Sequence, residues 1–156
     1  MNIIIDSQEY KEIEELGKGA YGKVYKLEKD KKYYAYKKIS INDSTKEEIE
    51  QCQKEAKILS GFNNEYIVKY YHSFIDKDSF NILMEYAGKL NLKQYIKTYK
   101  DKSLFIDEKI IENIIKQICL GLKEIHNKEI IHRDLSSDNI FINENNHIKI
   151  GDFGVS

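Results

Sequence analysis

Gly17-Lys18-Gly19-Ala20-Tyr21-Gly22 runs straight into Lys23-Val24-Tyr25-Lys26-Leu27, and the residues after the third glycine decide the fold. A G-x-G-x-x-G loop in a dinucleotide-binding crossover must open a helix at that point. Here the chain continues as a strand-like run instead. Strand, glycine turn and strand make a hairpin flap, whose side-chain-free backbone can approach phosphate oxygens. Taken alone, the loop is equally well a plain glycine-rich hairpin.

Further short runs rich in Val, Ile and Tyr are strand candidates: Tyr33 to Ile39, Ile67 to Tyr71 and Ile82 to Tyr86. Between the first two of these lies a helix candidate over 44 to 60, opened by Ser44-x-x-Glu47 as a capping box. Its apolar stripe is Ile49, Cys52, Ala56 and Leu59. At helical spacing Glu55 falls within about 60° of Cys52 and about 40° of Leu59, so it borders the buried face. A carboxylate there either meets a cation or leans out to solvent.

Near residue 88 the texture turns helical. A short helix is predicted around Leu92 to Tyr99 and a long one from Asp107 to His126. The second carries Ile110, Ile111, Ile114, Ile115, Ile118, Leu122 and Ile125 on a wide stripe that needs covering. Two short strands, Asn139 to Ile142 and His147 to Ile150, flank a turn at Glu144-Asn145-Asn146. The expected architecture is α+β, a small sheet-rich part followed by a helical part.

Composition narrows the function classes. The 156 residues hold 25 Lys plus Arg against 26 Asp plus Glu, a net charge of -1 that disfavours a polyanion surface and hence nucleic acid as partner. Charged residues make up 33%, and no run approaches a spanning helix, so no membrane role is expected. Ile3-Ile4-Ile5 is too short for a signal-peptide core. The two cysteines, Cys52 and Cys119, form no disulfide framework or metal cluster, which makes a reducing cytosol, or nucleus, the expected compartment. Arg133 is the single arginine beside 24 lysines. Where lysine is the default cation, an arginine suggests a site that needs a planar fork of donors. His72, His126 and His147 show no metal-ligand spacing.

Taken together, Leu16 to Val24, Tyr34-Ala35-Tyr36-Lys37, Glu55, His132-Arg133-Asp134-Leu135-Ser136-Ser137-Asp138-Asn139 and Asp152-Phe153-Gly154 resemble the ordered signature set of the eukaryotic protein-kinase family. The Asn-Ile-Phe-Ile and Ile-Lys-Ile-Gly-Asp-Phe-Gly stretches look most like serine/threonine kinases of the NIMA-related type. The resemblance implies a protein-kinase-like fold: a small antiparallel-sheet N-lobe with one helix, over 1–87 with the hinge, and the first helices and catalytic loop of a helical C-lobe over 88–156. It implies ATP-dependent phosphorylation of protein serine/threonine hydroxyls, with ATP and Mg2+ as cofactors and an unidentified protein substrate.

Each matched position then has a physical task, because phosphoryl transfer is mainly a matter of positioning and countercharge. By resemblance Lys37 holds the α- and β-phosphates and Glu55 holds Lys37. Asp134 orients the acceptor hydroxyl and receives its proton, while Asn139 and Asp152 offer oxygen to magnesium, a hard cation. Leu16, Gly17, Gly19 and Gly22 belong to the lid. Val24, Ala35 and Phe141 sandwich the adenine, Met84 is the gatekeeper, the backbone of Glu85 and Ala87 forms the hinge bonds, and Asn91 lies near the ribose. Lys38, on the opposite strand face from Lys37, is expected in solvent. His132, Phe153, Leu59 and Tyr70 fall where the family stacks a hydrophobic spine.

Three features depart from that pattern. Ser136 stands where serine/threonine kinases carry a lysine near the transferring phosphate, and its absence is worth about a hundredfold in rate if nothing replaces it. Tyr36 is also bulkier than the usual aliphatic. The sequence ends at Ser156, two residues after D-F-G, so the resemblance implies a partial domain without the activation loop that Arg133 would serve. The isoleucine stripe would then be exposed. Two alternatives arise from this: a nucleotide-binding, pseudokinase-like module, and a non-catalytic interaction protein whose exposed C-lobe helix is covered by a partner chain.

Overall fold

The computed structural model describes residues 2–19 and 22–151. The chain divides into two compact units, one of residues 1–61 and 69–86, the other of 62–68 and 87–156. Phe62–Val68 thus joins the second unit, although it precedes residue 88 where the sequence texture changes.

The first unit is a six-stranded antiparallel sheet with one helix. Its strands are β1 (Asn2–Ile5), β2 (Gln8–Gly19), β3 (Gly22–Lys29), β4 (Lys32–Ser40), β5 (Tyr70–Asp76) and β6 (Ser79–Glu85), in the order β1-β2-β3-β4-β6-β5. Tight turns set the first registers. Asp6-Ser7 and Asp30-Lys31 both hold positive φ, the signature of two-residue hairpin turns that match strand twist. The glycine hairpin closes on the Gly19↔Gly22 pair, and β2 carries irregularities between Glu12 and Glu14 and between Glu15 and Gly17. Such bulges increase the local twist of a strand.

Period-two alternation gives the sheet two apolar faces. On one, Ile39, Phe80 and Ile82 pack with Ala56 of helix α1 (Lys46–Ser60), and Cys52, Tyr70 and Met84 border them. On the other, Ile5, Tyr10, Leu27, Tyr36 and Leu83 cluster, with Ile3, Tyr25, Tyr34 and Phe74 around them. β1, which the apolar run at 3–5 did not announce as a strand, supplies Ile5 to this second core.

Two boundaries differ from expectation. The α1 capping box is Thr45 with Glu48, one residue later than Ser44 with Glu47: Glu48 N donates to Thr45 Oγ1 at 3.2 Å, and Thr45 N donates to Glu48 Oε2 at 2.7 Å. Both pairs have capping-box spacing, so spacing alone could not choose. The run Ile67 to Tyr71 is not one strand. β5 begins at Tyr70, whereas Ile67 forms a parallel bridge with Ile150 in the second unit.

The second unit holds a three-stranded sheet, β7 (Leu90–Asn91), β8 (Ile140–Ile142) and β9 (Ile148–Ile150), with helices α2 (Leu92–Asp101) and α3 (Glu108–Asn127). The segment 62–68 straps β9: Val68 N donates to Ile150 O and Ile150 N to Tyr66 O, each at 2.8 Å. α3 buries Ile114, Gln117, Gly121 and Ile125. Its predicted stripe is therefore only partly a core face, since Ile111 and Ile115 are exposed. Among the described residues no helix is long and apolar enough to cross a membrane.

Candidate active site

The first unit gathers one set of the implicated residues. Cross-strand pairing brings Gly17 opposite Val24, Val24 opposite Lys37, Lys37 opposite Ile82, and Ala35 opposite Met84. Directly paired residues share a face, so Val24, Ala35, Lys37 and Met84 lie on the face that α1 covers at Ala56, Ile39 and Ile82. Lys37 is half-buried and Lys38 is exposed. Leu16 and Gly17 are exposed, Gly22 half-buried. Glu55 belongs to α1, but the Lys37–Glu55 pairing falls on a side chain outside the described residues.

The glycines of the loop differ in their reasons. A Cβ on Gly17 would meet nothing within 4 Å, so open space adjoins it. A Cβ on Gly22 would sit 2.2 Å from Lys38 O. Gly22 is thus required by backbone crowding against β4, independently of any ligand.

The second unit contains a compact hydrogen-bonded loop. His132 is buried, its Nε2 3.0 Å from Gly151 O, while Nδ1 accepts from Asp134 N at 3.3 Å. A backbone carbonyl thus faces one ring nitrogen and a backbone N–H the other, which fixes the ring's orientation. Arg133 between them is exposed and adopts φ 64°, a left-handed conformation costly for a non-glycine residue. Asn139 Nδ2 donates to Asp134 O at 2.8 Å and to Asp134 Oδ2 at 2.9 Å. Asn139 N donates to Ser136 O at 3.0 Å, and Gly151 N to Asn139 O at 2.9 Å, so the loop is closed by its own backbone.

Because the Asn139 amide spends its N–H groups on Asp134, its Oδ1 is left as an acceptor. A neutral amide oxygen is a donor type that suits a hard divalent cation. Asp152, the other predicted magnesium ligand, lies outside the described residues, as do Phe153 and Gly154 of the same motif. Phe141 pairs with Asn91 and Lys149, and its ring would lie 2.9 Å from a Cβ added to Gly151. Asn91 caps α2: its Oδ1 accepts from Gln94 N at 2.8 Å and its N–H donates to Gln94 Oε1 at 2.9 Å. Ala87 is half-buried at the start of the unit's second segment.

Gln117, to which the motifs assign no role, supports the β8–β9 turn. Buried on α3, it donates through Nε2 to Asn146 O at 2.9 Å and accepts Ile148 N–H at 3.0 Å, pinning the β8–β9 turn. The available signal was its position among apolar residues, three after Ile114 and four before Gly121: a polar group on a buried face must find partners.

The glycine hairpin with its half-buried strand lysine belongs to the first unit, and the His-Arg-Asp loop closed by Asn139 to the second. A protein kinase domain model matches residues 10–156, and the chain belongs to that family. It is similar to serine/threonine-protein kinase Nek11 of Macaca fascicularis, 40% identical over 149 residues, covering 92% of this chain and 23% of that protein. It is likewise similar to the probable serine/threonine-protein kinase nek2 of Dictyostelium discoideum, 35% identical over 155 residues, covering 95% of this chain and 37% of the relative. The MAP kinase kinase MKK1/SSP32 of Saccharomyces cerevisiae is 38% identical over 145 residues, covering 90% of this chain and 28% of the relative. The chain therefore spans well under half the length of these relatives.

Proposed function

We propose that this chain carries the nucleotide- and hydroxyl-handling residues of an ATP-dependent protein serine/threonine kinase. The observation that carries the proposal is the Asp134–Asn139 pair. One Asp134 carboxylate oxygen is held by the Asn139 amide at 2.9 Å, and among the described residues Oδ1 has no hydrogen-bond partner. That oxygen accepts the proton of a serine or threonine hydroxyl as the hydroxyl oxygen bonds to the γ-phosphorus of ATP. The bond between that phosphorus and the β–γ bridging oxygen breaks, and ADP leaves. Asn139, with Asp152, would hold Mg2+, which supplies countercharge to the phosphates.

Lys37 neutralises the α- and β-phosphates from its half-buried position on β4. Val24, Ala35 and Met84 supply apolar surface for the base on the same sheet face. Leu16, Gly17, Gly19 and Gly22 form the lid, and the open space at Gly17 leaves room for phosphate oxygens there. Support also comes from the kinase-family match and from relatives whose names state serine/threonine kinase activity. The test is transfer of labelled phosphate from ATP to a generic protein acceptor, comparing the 156-residue chain with its Lys37→Ala and Asp134→Asn variants. Transfer that falls by at least about a hundredfold in both variants is expected. Equal transfer in all three chains would defeat the proposal, and magnesium-dependent ATP binding without turnover would leave a nucleotide-binding module.

A further inference from the structure

Lys26 is the register partner of Glu14 on one side and Ala35 on the other. Its side chain is only 17% exposed, yet its ammonium approaches the Glu14 carboxylate no closer than 3.8 Å. Instead it lies 4.1 Å from the ring centroid of Tyr33 and 4.6 Å from that of Tyr86. The two rings meet edge-on, 6.2 Å apart at 71°. The ammonium is thus held by the negative faces of two rings together with the Glu14 carboxylate.

This brace acts on a particular piece of backbone. Tyr86 comes directly after Glu85, the last residue of β6. Glu85 is tied to the neighbouring edge by its N–H to Lys69 O at 2.8 Å and by Lys69 N–H to its Oε2 at 3.1 Å, and it pairs with Tyr34 across β4. The β6 ladder ends at Glu85, and directly beyond it the Tyr86 ring packs on Lys26 and Tyr33. Strand parity puts Lys26 and Tyr33 on the same face as Val24, Ala35 and Met84.

We propose that Lys26 is a positioning residue for nucleotide binding, its brace on Tyr33 and Tyr86 holding the Glu85–Tyr86 backbone in the conformation that receives the base. The inference rests on the assignment of ATP as the ligand of this sheet face. It is tested on the 156-residue chain with Lys26→Met, which keeps the apolar stem, and Lys26→Arg, which keeps the cation. Tyr86→Leu and Tyr86→Phe make the same comparison from the ring, and serve alone if Lys26→Met does not fold.

Two quantities are measured: amide hydrogen exchange at Glu85 and Tyr86 without nucleotide, and MgATP affinity by calorimetry. Removing the cation or the ring is expected to speed exchange about tenfold and weaken MgATP about fivefold, with Lys26→Arg and Tyr86→Phe within about twofold of wild type. Unchanged exchange in Lys26→Met and Tyr86→Leu overturns the proposal, as does faster exchange with unchanged affinity. Absence of MgATP binding to the wild-type chain also overturns it, but by removing the assignment of ATP itself, an outcome recognisable because every variant is then equally silent.

Discussion

Tyr36→Phe removes one oxygen from the second core of the sheet and should cost far more than its size suggests. Tyr36 is 6% exposed, and its hydroxyl donates to Asn81 Oδ1 at 2.8 Å. Asn81 is 0% exposed and commits Nδ2 to Ser79 O and Ser79 Oγ, each at 3.1 Å. Without the hydroxyl, Asn81 Oδ1 is buried with no donor, a loss of about 1–3 kcal/mol. Urea denaturation of Tyr36→Phe, Asn81→Leu and the double variant measures it. Replacing both partners with apolar groups removes the orphan, so the double variant should be more stable than the summed single costs imply by at least about 1 kcal/mol.

The same network has a pH signature. Burial, the main cause, together with Asp76 and then Tyr25, pushes the Tyr36 phenol up from 10.0 to about 12. The folded state therefore holds this proton more tightly than the unfolded chain. The stability it contributes is fully present below about pH 10 and is lost as pH rises toward about 12. After allowance for solvent screening this amounts to about 1–2 kcal/mol. The gap between wild type and Tyr36→Phe should accordingly narrow over that interval. Strictly additive costs in the cycle, or a gap that does not change with pH, would refute the reasoning.

Gly22→Ala should destabilise the chain by about 1–3 kcal/mol through the contact of its Cβ with Lys38 O, whereas Gly17→Ala should shift the urea midpoint negligibly. Gln117→Leu leaves Asn146 O and Ile148 N–H without their partner, so a loss of about 2–4 kcal/mol is expected, with faster amide exchange at Ile148. Thr45→Ala should cost about 1 kcal/mol in thermal unfolding, while Ser44→Ala should stay within about 0.5 kcal/mol, because only Thr45 caps α1.

Much of the fold was legible because it is local. The strand after Gly22, the helices at 92 and 107 and the β8–β9 hairpin all appear within a few residues of where side-chain period and turn residues put them. The loop from His132 to Asn139 was legible as a motif, since its chemistry needs particular side chains at fixed spacing. Other features were not. Ile67 reads like any strand residue, but its partner is Ile150, far along the chain. Ile111 and Ile115 share a helical stripe with Ile114, yet only Ile114 is buried, because packing selects a narrower face than periodicity does. Asn91 caps α2 through Gln94, a pairing that the motif positions alone did not announce.

By itself the amino-acid sequence determined the family and most of the order of strands and helices, and it named the residues proposed here for phosphate, metal and hydroxyl chemistry. These depend on residue type and short-range spacing. Only the tertiary structure decided that Gly22 is crowded by β4 while Gly17 faces open space, that Tyr36 reaches Asn81, that Gln117 holds the β8–β9 turn, and that Lys26 lies over Tyr33 and Tyr86. Each of these is a contact between separate elements, and its partner is fixed by strand register and close packing, which single-sequence periodicity does not encode.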